Sequence, residues 1–158
     1  MAKRRQNVET VLVRPIEVSD FDFIRTLASK TKGYTLPPRY ILWTLCRFQG
    51  ELGAIAEEPG SAPVGYLLAL PVGIHSDAIF VWQLATTFRG QRLKAADALA
   101  EHVKAKAQQH DIRRVIFTSC TQSATDQSIQ SLAARVFHAS PAPGVLLPRI
   151  SFRWRTLT

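Results

Sequence analysis

Three apolar runs, LGAIAEE, APVGYLLALPVG and AIFVWQLATT, follow one another between Leu52 and Thr87, and at Leu93 the apolar period changes. The runs are parted by PGSAP and IHSD, short stretches of turn-forming residues, and that spacing reads as an antiparallel meander. From Leu93 onward, Leu93, Ala96, Leu99, Ala100, Val103 and Ala107 recur at helical spacing, with Lys94, Asp97, Glu101 and Lys104 on the other faces. A strand period that gives way to a helix period within a few residues requires a tight strand-to-helix turn. Turns of that kind present backbone N–H groups to an anion.

The rest of the chain extends the pattern on both sides. TVLVRPIE, residues 10–17, reads as an opening strand, and Ser19 with Asp22 has capping-box spacing, Val18 and Phe23 forming a hydrophobic staple. A helix through about Lys30 follows, then the loop KGYTLPP and a second helix through RYILWTLCRFQ with Pro38 in its first turn. After the long helix, RRVIFTSCT has strand character, and TDQSIQSLAARVF places Ile129, Leu132 and Val136 at helical spacing behind a Thr125 or Asp126 cap. Pro141, Pro143 and Gly144 break that helix, and GVLLP and RISFRWRT close the chain as strands, with Ile150, Phe152 and Trp154 on one face. The expected class is α+β, a mixed α/β chain in the order β-α-α-β-β-β-α-β-α-β-β.

With 158 residues the chain fits one domain large enough to bury a core. Residues 1–7 read as a basic, flexible N-terminal stretch, and residues 8–158 as a single domain. No apolar stretch approaches a membrane span, and the basic start lacks the apolar region of a secretory signal, so a cytoplasmic protein with no membrane partner is expected. Cys46 and Cys120 are too few and too far apart for a disulfide framework or a zinc site; reduced, largely buried thiols and no metal are expected. A net charge of +8 favours polyanions, but the cations are dispersed, from Lys3, Arg4 and Arg5 to Arg149, Arg153 and Arg155. Nothing in their spacing organises a nucleic-acid interface, and nucleic acid is the least favoured partner.

The element order, with its turn after the fourth strand, resembles the GCN5-related N-acetyltransferase (GNAT) family over essentially the whole chain. That family's pyrophosphate turn follows Q/R-x-x-G-x-G/A. This sequence offers Gln91, Arg92, Leu93, Lys94, Ala95 and Ala96, in which the ends fit and Lys94 stands where glycine is usual. YILWTLC, AIAEEPGSAPVGY and above all DAIFVWQLA resemble the diaminobutyrate-acetylating members of the family. Those members carry acidic residues where this chain has Thr35 and Leu36 before its second helix and Phe117 in its fifth strand. An ammonium in a partly desolvated site needs such carboxylates, so a diaminobutyrate-like amine is expected only without its usual partners.

The resemblance implies a fold with a central, mostly antiparallel mixed sheet flanked by helices, and acetyl transfer from acetyl-CoA to a small-molecule primary amine by direct attack in a ternary complex. The cofactor would lie along Leu84, Ala85 and Thr86, whose backbone groups face the thioester and pantetheine, and on the turn of Arg89, Gln91, Arg92, Leu93, Lys94, Ala95 and Ala96. Lys94 can serve if its side chain points outward and its ammonium joins Arg89 and Arg92. His75, at the turn before strand four, has a suitable ordinary pKa for a base. Tyr40 is the second catalytic candidate, and Tyr34, Tyr40, Trp82 and Gln83 are candidate acceptor-site residues. Asp77, beside His75, reads as a turn stabiliser; Ser119 and Cys120 are further candidates; and Ala133 stands where many members have a tyrosine acid. Members of the fold often pair through their last strands, so a homodimer is expected. Two other readings remain open: a non-catalytic CoA- or acyl-CoA-binding protein of this fold, and a basic nucleic-acid-associated domain.

Overall fold

The computed structural model describes residues 11–31, 36–60, 62–72, 77–87, 92–120, 140–141 and 150–156. A short strand β1 (Leu12–Arg14) leads through a single 3-10 turn (Val18–Asp20) into α1 (Phe21–Lys30) and α2 (Arg39–Phe48). The meander follows as β2 (Ala54–Glu57), β3 (Pro63–Pro71) and β4 (Ala78–Thr86), then α3 (Arg92–Gln109) and β5 (Arg114–Cys120). β6 (Ser140–Pro141) and β7 (Ile150–Thr156) complete one sheet in the order β1-β2-β3-β4-β5-β7-β6. All neighbours are antiparallel except β4 and β5, which run parallel, with α3 between them in the chain. No helix among the described residues is long and apolar enough to cross a membrane.

Strand alternation divides the core in two. Ala54, Ala56, Leu67, Ala69, Ile79, Val81 and Leu84 meet Ala95, Leu99, Ala100, Val103 and Ala107 of α3. The intervening residues Ile55, Tyr66, Leu68 and Ala85 meet Ile24, Leu27 and Ala28 of α1 and Leu42 and Cys46 of α2. Each face of the sheet is thereby buried under helices, which is why β3 reads as an almost unbroken apolar run and not as an alternating one. The expected stripe on α3 is present from Ala96 to Ala107, with Ala95 added to it at 2% exposure.

Two local expectations are corrected. The capping box lies at Glu17 and Asp20, not at Ser19 and Asp22: the Glu17 N–H donates to Asp20 Oδ2 at 2.8 Å. Arg14 decides between the two registers. From β1 its guanidinium donates twice to Asp20, at 2.7 Å each, and once to Glu57 on β2 at 2.9 Å, and Asp20 is 4% exposed. These acids raise the Arg14 pKa above its ordinary value, the hydrogen bond to Asp20 most of all. A buried carboxylate with such a partner outweighs an exposed cap of the same spacing. The second correction is at Ser140–Pro141, where a break was expected and a strand pairs Ser140 with Trp154 and Pro141 with Arg153. Proline is tolerated there because β6 is an edge strand. The helix expected over residues 125–137 and the strand expected at GVLLP lie outside the described residues.

Cys46 is a buried free thiol, as expected, and burial pushes its pKa up to about 11.

Candidate functional site

The site begins with one extra residue in β4. Against β3, Leu68 pairs with Gln83 but Ala69 pairs with Val81, so Trp82 has no opposite number and the strand bulges there. The bulge resets the side-chain alternation. Ile79 and Val81 lie under α3, and Leu84, three residues after Val81, lies there too; an uninterrupted strand would put Leu84 on the other face. Trp82 is half-buried and packs against the cluster beneath α1 and α2.

β4 loses its second neighbour at the same point. The parallel ladder with β5 covers Ala78–Val81 against Arg114–Phe117, while β5 continues to Cys120 against β7. The two strands are fastened at their other end. The N–H groups of Arg113 and Arg114 both donate to the Asp77 carbonyl, at 2.8 and 2.9 Å, and the Arg114 Nε donates to Asp77 Oδ1 at 3.0 Å. The Arg114 hydrogen bond holds the Asp77 carboxyl below its ordinary pKa. β4 and β5 therefore start together and part after Val81.

The direction of the β4 backbone beyond the bulge follows from one bond. The Thr87 N–H donates to the Val64 carbonyl at 2.7 Å. Backbone groups alternate sides along a strand, so Ala85 and Gln83 also face β3, whereas Leu84 and Thr86 direct theirs to the β5 side. Gly65 allows this close pairing. A Cβ at Gly65 would stand 2.9 Å from Thr86 Cγ2, 3.0 Å from the Ala85 carbonyl oxygen and 3.3 Å from Leu99 Cδ1.

At the open end the chain enters α3. The first N–H groups of a helix have no intrahelical partner and carry the positive end of its dipole. No acidic residue lies in this first turn, and Lys94 is exposed there while Ala95 takes the buried position and Ala96 is half-buried. The Lys94 side chain thus points out of the core, the condition under which a lysine can replace glycine at this position. Arg92 and Leu93 contribute backbone to the same turn. Arg89 and Gln91 lie outside the described residues.

The structure distributes the remaining candidates unevenly. Gln83 is buried at 3% exposure, and its Oε1 accepts a hydrogen bond of 3.0 Å from the phenol of Tyr66, a residue the sequence reading passed over. The signal was present: Tyr66 shares alternation with Leu68, and a buried phenol needs a partner. Ala85 turns its backbone to β3, so among Leu84, Ala85 and Thr86 it does not face the opening. Tyr40 is 72% exposed, because Leu42 and Cys46 take the inner face of α2 and residue 40 falls on the outer one. His75 and Tyr34 lie outside the described residues. Asp77, the described end of the His75 turn, precedes Leu84 by seven positions, roughly 20 Å along an extended strand. The side chains of Ser119 and Cys120 are outside the described set.

The sheet with its bulged strand, the parallel neighbour that parts from it and the helix that follows form a fold shared with solved acetyltransferase structures. The diaminobutyrate acetyltransferase of Paenibacillus lautus, in complex with L-2,4-diaminobutyric acid and coenzyme A, superposes with a TM-score of 0.77 over 94% of this chain and 95% of its own, at 18% identity. Ard1 of Thermoplasma volcanium gives 0.71 over 94% and 98%, at 15% identity. No protein-family model matches the chain. In sequence, the chain is similar to the L-2,4-diaminobutyric acid acetyltransferase of Bordetella parapertussis, with 26% identity over 103 residues, 65% of this chain and 55% of that protein. The match thus spans about half the length of that relative.

Proposed function

We propose that this chain is an N-acetyltransferase that moves an acetyl group from acetyl-CoA to the primary amine of a small molecule, by direct attack in a ternary complex. The observation that carries this reading is the parting of β4 from β5 after Val81, next to the bulge at Trp82, with Thr86 turning its backbone groups to the β5 side. The residues present suit acetyl-CoA: an extended backbone for pantetheine, a helix start without acidic residues for the pyrophosphate, an exposed Lys94, and small Ala95 and Ala96 where the phosphates approach. When bound, acetyl-CoA supplies a thioester whose acyl carbon is open to attack by an amine.

The chain's own groups do the rest. The N–H groups of the α3 first turn, with Lys94, hold the pyrophosphate. The backbone N–H of Thr86 holds the acyl oxygen as charge develops on it, a preorganised stabilisation that needs no particular side chain. Trp82 closes the acceptor side against water with its apolar ring. The amine nitrogen forms its bond to the acyl carbon as the carbon–sulfur bond breaks; the nitrogen gives up a proton and the sulfur leaves as a thiolate that takes one up. β4 beyond the bulge carries no carboxylate or imidazole, and a water relay between the amine and His75, the catalytic candidate before β4, suits the transfer. Diaminobutyrate is the first amine to try, since the matching proteins act on it. Leu36, exposed at the entry to α2, and Phe117 replace acidic groups of those proteins and favour an acceptor with less positive charge. The cytoplasm is the proposed compartment.

Calorimetric titration with coenzyme A and acetyl-CoA tests the reading, followed by a panel of amines with thiol release as readout. Absence of binding at millimolar cofactor overturns it. Binding without turnover on any amine points instead to a CoA-binding protein of the same fold, a reading favoured by the lack of a side-chain acid or base on β4 beyond the bulge.

A further inference from the structure

A bulge is not tied to one residue by the ladder alone. The extra position in β4 could equally be taken by a neighbour of Trp82, and a shift by one residue turns the side chain that changes places to the opposite face while the pairing beyond it is kept. The structure contains a device that forbids this. Gln83, directly after the bulged residue, is one of two buried polar side chains among the described residues, the other being Asp20 with its Arg14 clamp. Its Oε1 accepts from the phenol of Tyr66, which is fully buried. Tyr66 pairs with Ala85 and Leu68 with Gln83, so the bond crosses diagonally between the strands, on the face beneath α1 and α2. Were the bulge to move one residue on, the Gln83 carboxamide would enter the apolar cluster of Leu67, Leu84 and Leu99 under α3 and lose the phenol. Moving a carboxamide from its phenol into an apolar cluster is costly, so the bulge stays at Trp82.

We propose that Tyr66 and Gln83 are positioning residues of the site: their buried hydrogen bond keeps the bulge at Trp82, and with it the place where β4 leaves the β5 ladder and the face on which the Trp82 ring stands. Neither residue touches the reacting atoms. The inference rests on the acetyl-CoA reading for its consequence in binding, but not for its consequence in the strand.

The experiment uses the full chain carrying Tyr66→Phe, Gln83→Met or both. Three quantities are measured: the coenzyme A dissociation constant by calorimetry, the thermal midpoint, and hydrogen exchange at the amides of residues 78–81 and 83–87 separately. Tyr66→Phe keeps the ring and removes only the hydroxyl, so it is expected to fold. It should weaken coenzyme A binding by about tenfold, since small displacements of binding groups are felt steeply. It should also speed exchange at residues 83–87 with none at 78–81. Gln83→Met should do the same, and the double variant less than the sum of the two, because the bond they share is already lost in each single one. Wild-type coenzyme A affinity and unchanged exchange in Tyr66→Phe overturn the proposal, as does exchange that quickens evenly along the whole strand. If the unmodified chain binds no coenzyme A, the acetyltransferase reading falls, and the contrast in exchange between the two halves of β4 alone decides for or against the clamp.

Discussion

The two halves of β4 are made of similar residues and live in different surroundings. Ala78 to Val81 is hydrogen-bonded between β3 and β5 and rests on α3; from Gln83 to Thr86 the strand keeps β3 and has left the β5 ladder. Both halves place apolar residues in the core, with Ile79 at 0% exposure and Leu84 at 9%, although the second half also carries Gln83 and Thr86. Core burial therefore does not distinguish the two halves. What distinguishes them is whether the backbone is committed to a neighbouring strand, and that depends on one unpaired residue, Trp82.

Substitutions can break this contrast in order of size. Ile79→Ala, in the committed half, should lower stability by about 2–5 kcal/mol through lost burial and the cavity left behind. Urea unfolding checks the loss, and the folded fraction should still bind coenzyme A with unaltered affinity; weaker binding by that fraction would dissolve the distinction between the halves. Gly65→Val acts on the other half. Its added carbons meet Thr86 and the Ala85 carbonyl, which should cost about 1–3 kcal/mol as overpacking and also reduce coenzyme A affinity, so calorimetry and unfolding should fall together.

Lys94→Ala should separate the two measurements in the opposite sense. Removing a cation from a helix start should raise stability by about 0.3 kcal/mol or more, while coenzyme A affinity drops a few-fold and loses part of its salt dependence. A variant that binds as tightly as the parent would remove Lys94 from the site. The smallest effect is expected at His102, on the flank of α3, whose Nε2 is buried without a hydrogen-bond partner. Burial, and secondarily Lys106, hold its pKa below the ordinary 6.5. The unfolded chain therefore binds a proton there that the folded chain resists, and stability should decline slightly as pH falls below 6.5, levelling off below the folded pKa. In His102→Gln that small decline should vanish from the pH profile of the unfolding midpoint.

Much of this was legible from residues whose pattern is local. The meander, the change of period at Leu93 and the buried stripe of α3 follow from side-chain spacing, and the structure has all three. The features that escaped depend on partners distant in sequence. Ser19 with Asp22 and Glu17 with Asp20 have the same spacing, and only Arg14, brought in from β1, selects the second pair. The exposure of Tyr40 shows only once Leu42 and Cys46 are seen to occupy the inner face of its helix. Trp82 was noticed as an aromatic, but nothing in FVWQLA says which residue goes unpaired, since that is a property of β3 and β4 together. Lys94 is the intermediate case: the sequence posed the question of its direction, and the burial of Ala95 answered it.

The clip at Asp77 has a mechanical consequence. Two strands fastened at one end and parting after Val81 behave as a lever with its fulcrum at the last shared rung. Thr86 lies roughly 16 Å beyond that rung, so a rotation of about 10° there would carry it by about 3 Å. The far arm is also held to β3, by the Thr87 N–H on the Val64 carbonyl, so the angle at the fulcrum can change only if β3 moves with it.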